Sequence, residues 1–380
     1  MRLEFVSAIA DIGYDAWQSL CSGDYPFMRY EFLHALEHSR ACCEETGWQP
    51  QHIVVRDKNN TLLAVAPCYL KHHSYGEYIF DWAWADAYRR HGLAYYPKLL
   101  AAIPFTPVTG ARVAIREHID RGAIYRLIVD ACQSRCRTEQ LSSFHVLYPQ
   151  QAHSQLWYEE GLLPRASYQY HWFNEGYQDF NHFLDGMKSR KRKAIRKERA
   201  AVEAQNIDIQ RIKGVNVSPQ EWRAFHHFYQ LTYAKRSGHG GYLPLTFFER
   251  LSDTMAEQLL LIVARREDEI VAASLFFMSH NTLFGRYWGC SCELEFLHFE
   301  LCYYQGIDFC IEHGLSRFDA GAQGEHKIAR GFRPIATCSN HWLADQRFHQ
   351  AVAQYVAEEA AGVDRYLLEA ADQLPFSNAR

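Results

Sequence analysis

The 380-residue sequence has no CxxC pair, no HExxH helix and no paired Cys/His spacing, although it holds 11 cysteines and 20 histidines. A metal site built on such spacing is therefore excluded, and no metal is expected. The cysteines are odd in number and irregularly placed: Cys42 and Cys43 are adjacent, Cys132 and Cys136 share a helical face, and Cys290 and Cys292 flank Ser291. That is not a disulfide framework; it reads as buried free thiols in a reducing compartment. Neither a GxGxxG nor a P-loop pattern occurs, so spacing alone names no cofactor. Long apolar runs are also missing. The longest, Val271–Met278, falls far short of the ~18 residues that span a bilayer. The opening stretch, Met1–Trp17, carries Glu4, Asp11 and Asp15, which is wrong for a signal peptide. A soluble, cytoplasmic protein without a transmembrane segment is expected. The net charge of −4 supplies no whole-protein field for DNA or membranes, so any polyanion must be held by a local patch.

What is abundant is aromatic: 23 Tyr, 23 Phe and 9 Trp, in a chain that is 48% hydrophobic and 22% charged. These are globular proportions, and most of the rings belong in cores. The pattern predicts an α/β fold, with a mixed sheet flanked by helices. In the first half the spacing predicts helices at Met28–Ser39, Leu93–Ile103, Ile119–Cys136 and Ala152–Gly161. Strands are predicted at Gln51–Asp57, Thr61–Leu70, Tyr78–Trp82, Ala111–Ile115 and Ser143–Leu147. The second half predicts helices at Pro219–Arg236, Leu245–Met255 and His298–Gly314. Its strands are predicted at Leu259–Arg265, Ile270–Met278, Thr282–Trp288, Ser316–Asp319 and Ile335–Leu343, and Phe348–Leu374 reads as one long helix. Order and residues repeat: the stretches around Leu63–Leu70, Tyr78–Trp82 and Tyr95-Tyr96 parallel Val271–Met278, Phe284–Trp288 and Tyr303-Tyr304, at an offset of 206 to 208 residues. An internal duplication follows, with domains expected at 1–175 and 176–345 and a helical tail at 346–380.

Four stretches carry chemistry. From His73 to Tyr88, acidic groups are packed among aromatics where a strand is predicted to give way to a loop; Glu77, Asp81 and Asp86 would each be costly to bury unpaired. An aromatic core with an acidic rim is the plainer reading. From Leu297 to Tyr304, His298 and Cys302 share one helical face and Glu300 and Tyr304 another, at a helix start that attracts anions; Glu300 there also simply complements the helix dipole. From Asp319 to Phe332, three glycines surround Gln323, Glu325, His326, Lys327 and Arg330. They offer a base, an imidazole and fixed positive charge on a backbone that a ligand can approach closely. From Lys188 to Arg199, eight of twelve residues are Lys or Arg, more than a solvated surface helix requires.

The stretches HSYGEYIFDWAWADAY, YYPKL with PFTPVTG, and LHFELCYYQGIDFCIEHG followed by GAQGEHKIARGF resemble the FemAB-like proteins, from about Phe27 to about Trp342. This bacterial group is allied to the Fem peptidyltransferases and to the larger GNAT superfamily of acyltransferases. The resemblance implies two tandem GNAT-like domains with a C-terminal helix. It also implies an N-acyltransferase or aminoacyltransferase that moves its group onto a primary amine, as of a peptidoglycan precursor. The donor would be aminoacyl-tRNA, as in Fem enzymes, or acyl-CoA, as in most GNAT enzymes, with no permanently bound cofactor. Fem proteins carry a basic segment that opens the second domain, and 188–199 is similar to it, so Arg190, Lys191, Arg192, Lys193 and Arg196 are the expected contacts to tRNA. They also carry a Phe-Lys followed by a Phe-Gly pair. Here Lys327 matches, whereas the Phe is His326 and Gly331-Phe332 stands in reversed order. The R/Q-x-x-G-x-G/A loop of CoA-using domains is absent from both halves.

On this basis Lys327 is expected to stabilise negative charge and Glu325 or His326 to accept the proton. The backbone of Gly289 and Cys290 would receive the oxyanion. Trp84, Asp86, Tyr88, His298, Glu300, Gln323 and Arg330 would contact substrate. The alternative is a non-catalytic GNAT-derived module that binds a cell-wall fragment or an RNA.

Overall fold

The computed structural model describes residues 1–322 and 324–377, so Gln323 lies outside the described residues. The chain forms two units. The first comprises Met1–Tyr168 and Ala336–Tyr366, and the second comprises Gln169–Ile335 and the chain from Leu367 onward. The sequence places a boundary near 175; the chain leaves the first unit at Tyr168/Gln169 and returns to it at Ile335/Ala336.

In chain order the first unit contains β1 (Arg2–Val6), α1 (Ile9–Ile12), α2 (Tyr14–Gln18), α3 (Tyr30–His38) and β2 (Trp48–Pro50). Next come β3 (His52–Arg56), β4 (Leu62–Ala66), β5 (Cys68–Lys71), α4 (Trp82–Arg90) and β6 (Lys98–Ala101). Then follow β7 (Ala114–Ile115), α5 (Arg121–Thr138), β8 (Ser143–Leu147) and α6 (Gln151–Glu159). Strand β9 (Leu163–Phe173) carries the chain out. The second unit adds α7 (Phe180–Asp185), α8 (Ser189–Glu203), β10 (Ile207–Lys213), α9 (Pro219–Ser237) and α10 (Leu245–Met255). It continues with β11 (Leu259–Arg266), β12 (Glu269–Met278), β13 (Thr282–Cys290), α11 (Leu297–Phe299) and α12 (Gln305–Glu312), the two helices joined by a π-helical turn at Glu300–Tyr304. After β14 (Arg317–Asp319), strand β15 (Arg333–Leu343) takes the chain back, and α13 (Gln346–Asp372) ends it.

Each unit completes its sheet with a strand from the other half of the sequence. In the first unit β15 lies antiparallel to β8, from Ser339↔Leu147 to Leu343↔Ser143. In the second, β9 lies antiparallel to β14, with His171 opposite Asp319. The two units share a plan: an antiparallel pair (β5–β6, β12–β13), a helical crossover, then a strand parallel to the second member of that pair (β6–β8, β13–β14). These are two tandem GNAT-like units, with the expected C-terminal helix.

Three expected elements are corrected. Tyr78–Trp82 is not a strand: Tyr78 has φ 58°, and a helix starts at Trp82. Its alanines at 83, 85 and 87 are strong helix formers, and Trp84 and Tyr88 recur at the i,i+4 spacing that buries one face. Leu93–Ile103 is not a helix. Pro97 has no N–H and disfavours a helical Tyr96, and Lys98–Ala101 is then buried as β6 between β5 and β8. The counterpart of β13 is therefore β6, and Tyr95-Tyr96 stands before a strand whereas Tyr303-Tyr304 stands in a helix. The expected strand Thr61–Leu70 is split at Pro67 into β4 and β5, which join different sheets.

Where caps are strong, sequence and structure agree. Helix α9 opens with a capping box, in which the Ser218 hydroxyl and the Glu221 carboxylate satisfy each other's backbone N–H. Pro219 follows as its first residue, and Gly238 closes it in the left-handed conformation at φ 73°.

Candidate active site

Strands β13 and β14 pair only from Thr282↔Arg317 to Phe284↔Asp319. β14 ends there, whereas β13 runs on beside β12 to Cys290. Just past that point the β12–β13 register skips a residue: Leu275 faces Tyr287 and Phe276 faces Gly285, which leaves Arg286 as a bulge. Bulges re-aim side chains and interrupt a ladder. Here the bulge turns the Arg286 guanidinium onto the Asp319 carboxylate, 2.7 Å away, with side chains only 2% and 1% exposed. Burial pushes the Asp319 carboxyl up, but Arg286 and His171 outweigh it and hold the group at about 2. Asp319 also accepts the Gly321 N–H at 2.9 Å, which shapes the turn after β14.

That turn receives Lys327. Its Nζ donates to the carbonyls of Ala320 (3.0 Å) and Gly321 (2.8 Å). Burial lowers the ammonium to about 8, against the pull of Asp319. Lys327 belongs to a 3-10 turn, Glu325–Arg330, set between Gly324 at φ 105° and Gly331 at φ 87°. A Cβ on Gly324 would lie 2.7 Å from the His326 ring, so only glycine lets that imidazole fold back. The His326 Nε2 meets the Tyr303 hydroxyl at 2.8 Å, and Glu325 and His326 are exposed. Arg330 faces inward instead. It binds both oxygens of Glu198 at 3.0 and 2.9 Å and lies 3.4 Å from the centre of the Phe299 ring. Expected as a substrate contact, Arg330 is thus occupied by α8.

The head of α11 follows Phe296 at φ 61°. His298 packs edge-on against Trp288 and Tyr303, and its ring is 6.2 Å from that of His326. Burial above all, with the neighbouring bases, depresses the His298 imidazole to about 3. Glu300 is committed elsewhere: it accepts from Arg199 at 3.0 Å and Gln305 at 2.8 Å, and burial raises its carboxyl despite Arg199. The π-helical turn re-aims Tyr303 and Tyr304, and such turns gather at functional sites. Gly289 is buried, and a Cβ there would stand 2.1 Å from the Phe228 carbonyl oxygen. Its lack of a side chain serves the close approach of α9. Cys290 is half-buried opposite Ala272. The interruption of the ladder falls at Arg286 instead.

Helix α8 rests on Ile195 and Val202, with Glu198 and Arg199 turned inward. Arg190, Lys193 and Arg196 are exposed, and Lys191 and Arg192 are half-buried. Arg192 is 3.5 Å from Asp185 and Arg196 is 3.4 Å from Asn181; both contacts are exposed.

In the first unit the expected substrate contacts separate. Trp84 meets His341 edge-on and Tyr88 stacks on Phe348, both buried in a cluster with Val352 and Val356 of α13. Asp86 pairs with Arg89 and Arg90 on the exposed face of α4. Glu77 and Asp81, whose burial the sequence made costly, are indeed buried, and their partner is Lys98. The Lys98 ammonium reaches Glu77 at 2.9 Å, Asp81 at 2.5 Å and the Ser74 hydroxyl at 2.9 Å, with no exposure of its own side chain. Burial raises Glu77 to about 7, whereas Lys98 and His145 overcome it at Asp81, which stands at about 2. The network continues through Tyr95 to His145 and from there to His341, with 2.8 Å between the two Nδ1 atoms. Lys98 sits in an apolar strand, so nothing in its local pattern marked it. Among the described residues no group of His, Cys, Asp and Glu could hold a metal, and no helix is long and apolar enough to cross a membrane.

Three solved structures have a similar fold. One is a C-terminal domain assigned to a lysylphosphatidylglycerol synthetase from Agrobacterium fabrum, at 9% identity and TM-score 0.56, covering 93% of this chain and 96% of that one. A second is FemX, at 12% identity and TM-score 0.53, covering 93% and 100%. The third is a protein of unknown function from Bacteroides thetaiotaomicron, at 13% identity and TM-score 0.50, covering 90% and 100%. No curated protein matches the sequence. The model of the FemAB-like family, described as peptidoglycan biosynthesis/recognition, matches residues 8–378. The chain therefore belongs to the FemAB-like family.

Proposed function

We propose that this transferase moves an aminoacyl or acyl group onto a primary amine, with a peptidoglycan precursor as the acceptor class. The observation that supports the reading is the buried Lys327, held on the turn that follows β14 where that strand ends beside β13. Attack of a neutral amine on an ester or thioester carbonyl builds negative charge on the carbonyl oxygen. Stabilising that charge is the largest single task of such a site. The Lys327 ammonium, two of whose protons are spent on carbonyls, has a third to offer, and the backbone between Arg286 and Cys290 supplies further donors. The new C–N bond forms as the C–O or C–S bond breaks; the amine loses a proton and the leaving oxygen or sulfur gains one. His326 is lowered by burial and by Arg330 and Lys327. It is neutral at pH 7 and able to take that proton, with the Tyr303 hydroxyl on its other side. Glu325, exposed on the same turn, is the second candidate for the base.

Aminoacyl-tRNA is the favoured donor, because the exposed cations of α8 suit a polyanion and the CoA loop is absent. Arg199 and Glu198 anchor that helix, while Arg190, Lys191, Arg192, Lys193 and Arg196 remain for phosphates. The decisive experiment supplies purified protein with charged tRNA or acyl-CoA and a precursor bearing a free amine, and follows the acceptor's mass. An increment of one aminoacyl or acyl group is expected. Binding of acceptor or RNA without any increment, from either donor, would instead favour a non-catalytic module.

A further inference from the structure

Arg330 stands between α8 and the ring proposed to take the proton. Its guanidinium grips both oxygens of Glu198, at 3.0 and 2.9 Å, and donates to the main-chain carbonyl of His326 at 2.9 Å. The same group lies 3.4 Å from the centre of the Phe299 ring, which is 5.6 Å from the His326 imidazole. One side chain thus fixes His326 twice, through its backbone and through the ring that it touches. The pair is largely withdrawn from water, with the side chain of Arg330 8% and that of Glu198 17% exposed. A planar guanidinium held on two carboxylate oxygens keeps little freedom of its own. The Tyr304 hydroxyl also donates to Glu198, so the carboxylate is itself held in place.

Fastening α8 to the unit does not require this contact. Ile195 and Val202 are buried beneath the helix, and Arg199 binds Glu300 at 3.0 Å and Asp308 at 2.8 Å. Glu198 is spent on the 3-10 turn instead. That turn is short and has a left-handed glycine at each end, Gly324 and Gly331, so it has little stiffness of its own.

We infer that Glu198 and Arg330 are positioning residues, which from α8 hold the 3-10 turn so that the His326 imidazole stays where a base is needed. The role of His326 rests on the transferase reading; the hold on it does not. Around the imidazole stand Glu325, Lys327 and Arg330 of its own turn, the Tyr303 hydroxyl at 2.8 Å, and His298 at 6.2 Å between ring centres. Burial lowers the ring most, followed by Arg330, Lys327 and Arg236 of α9. The pair therefore sets both the place of the ring and much of the charge that acts on it.

The test follows the His326 C2–H signal through a pH titration, together with hydrogen exchange of the amides of 324–331. Arg330→Gln takes away a positive charge, which favours the imidazolium, so the apparent pKa should rise by about half a unit. Glu198→Gln leaves the guanidinium without its counter-charge, so the value should fall by a similar amount. In both proteins exchange through the turn should quicken about tenfold or more. A pair that merely fastens α8 would move the ring in one direction for both changes, or not at all. Arg330→Lys keeps the charge but cannot grip two oxygens and the carbonyl together. Its His326 should titrate as in the native protein, while kcat falls about tenfold and KM for the acceptor hardly changes. Shifts of one sign, a turn whose exchange ignores Glu198→Gln, or a native kcat in Arg330→Lys each overturn the inference. If Glu198→Gln does not fold, Glu198→Asp is read instead: it keeps the charge on a shorter stem, and native exchange in the turn overturns the inference there too. Titration and exchange need no turnover. A native protein that transfers from no donor therefore sinks the transferase reading alone, and the two physical readouts still decide whether the pair holds the ring.

Discussion

Replacing Asp319 by Asn keeps the shape of the side chain and removes its charge, so it tests the clamp between β13 and the end of β14. In the native protein Arg286 and Asp319 are both almost wholly buried and 2.7 Å apart. Without the carboxylate the guanidinium is a buried charge lacking its counter-ion, and breaking such a pair from one side costs about 3–5 kcal/mol. At about 1.4 kcal/mol for each factor of ten, the local opening constant rises roughly 100- to 3,000-fold. Hydrogen exchange read by mass spectrometry on peptides covering 282–290 and 317–322 reports that constant directly. The Asn carbonyl still accepts the Gly321 N–H, so the turn itself is spared. A second consequence concerns Lys327, whose ammonium Asp319 favours against burial and which stands at about 8. Taking away a nearby negative charge disfavours the protonated form, so the value falls below 8. A rate that needs the charged lysine is present below that value and is lost as the pH rises through it. The alkaline limb of the pH–rate profile must therefore move toward acid in Asp319→Asn. Exchange that changes less than about tenfold, or a limb that stays near pH 8, would refute this account of the site.

Lys327→Ala should lower the rate of transfer about a hundredfold, the effect of losing ~3 kcal/mol of transition-state stabilisation; a loss explained entirely by a fallen melting temperature would contradict the assignment. Gly289→Ala forces a methyl group against the Phe228 carbonyl, 2.1 Å from where the Cβ must stand. Thermal melts should show a destabilisation of about 1–3 kcal/mol, and an unchanged melting temperature would mean that α9 yields easily. Changing Arg190, Lys191 and Arg192 together to Glu should abolish retention of tRNA on filters, and native binding should weaken steeply between two salt concentrations. Retention indifferent to salt and to the triple change would leave α8 a merely solvated helix.

The sequence was most legible where local signals agree. The helix Leu245–Met255 and the strand Ser143–Leu147 stand as their periodicity predicts, and the turn expected at 267–269 places β11 and β12 to within a residue or two. The stretch 78–103 was misread because its structure is decided by tertiary contacts. Tyr78 adopts a left-handed backbone, Lys98 is drawn into a sheet by two buried acids, and the aromatic positions fit either period. The exchange of β9 and β15 has no local signature at all, since a strand pairs alike with any compatible edge. At the site, Lys327, His326 and His298 were marked by their glycine-rich and helix-start surroundings, and they do gather in one unit. Arg286, Asp319 and Tyr303 were given no role at the site: the strand pattern does not mark where a register skips, and ion pairs between distant strands need the fold to reveal them.

The duplicated plan also explains why chemistry is proposed for only one unit. In the second, β14 ends at Asp319 and the turn that carries Lys327 follows. In the first, β6 and β8 pair from Leu99↔Phe144 to Ala101↔Val146, and the chain then returns to set Gly110 parallel to Pro149. Gly110 permits that return, because a Cβ there would fall 2.2 Å from the Tyr25 ring. Behind it lies Arg112, 1% exposed, whose guanidinium donates to the carbonyls of Leu147 (2.6 Å), Val108 (2.5 Å) and Ala111 (2.9 Å). In the first unit the corresponding place is taken by main chain and by an arginine whose donors serve the protein itself. An incoming carbonyl would meet a closed edge and would gain nothing by displacing bonds already made in a buried setting. The first unit keeps its ionic groups near the starts of β6 and β8 instead, where Lys98, Glu77 and Asp81 hold the loop at 74–81 against the sheet. Removing Lys98 would leave two buried acids facing each other, so those charges fix local structure, as the Arg286–Asp319 pair does in the second unit. In the second unit the pair borders a buried ammonium, that of Lys327.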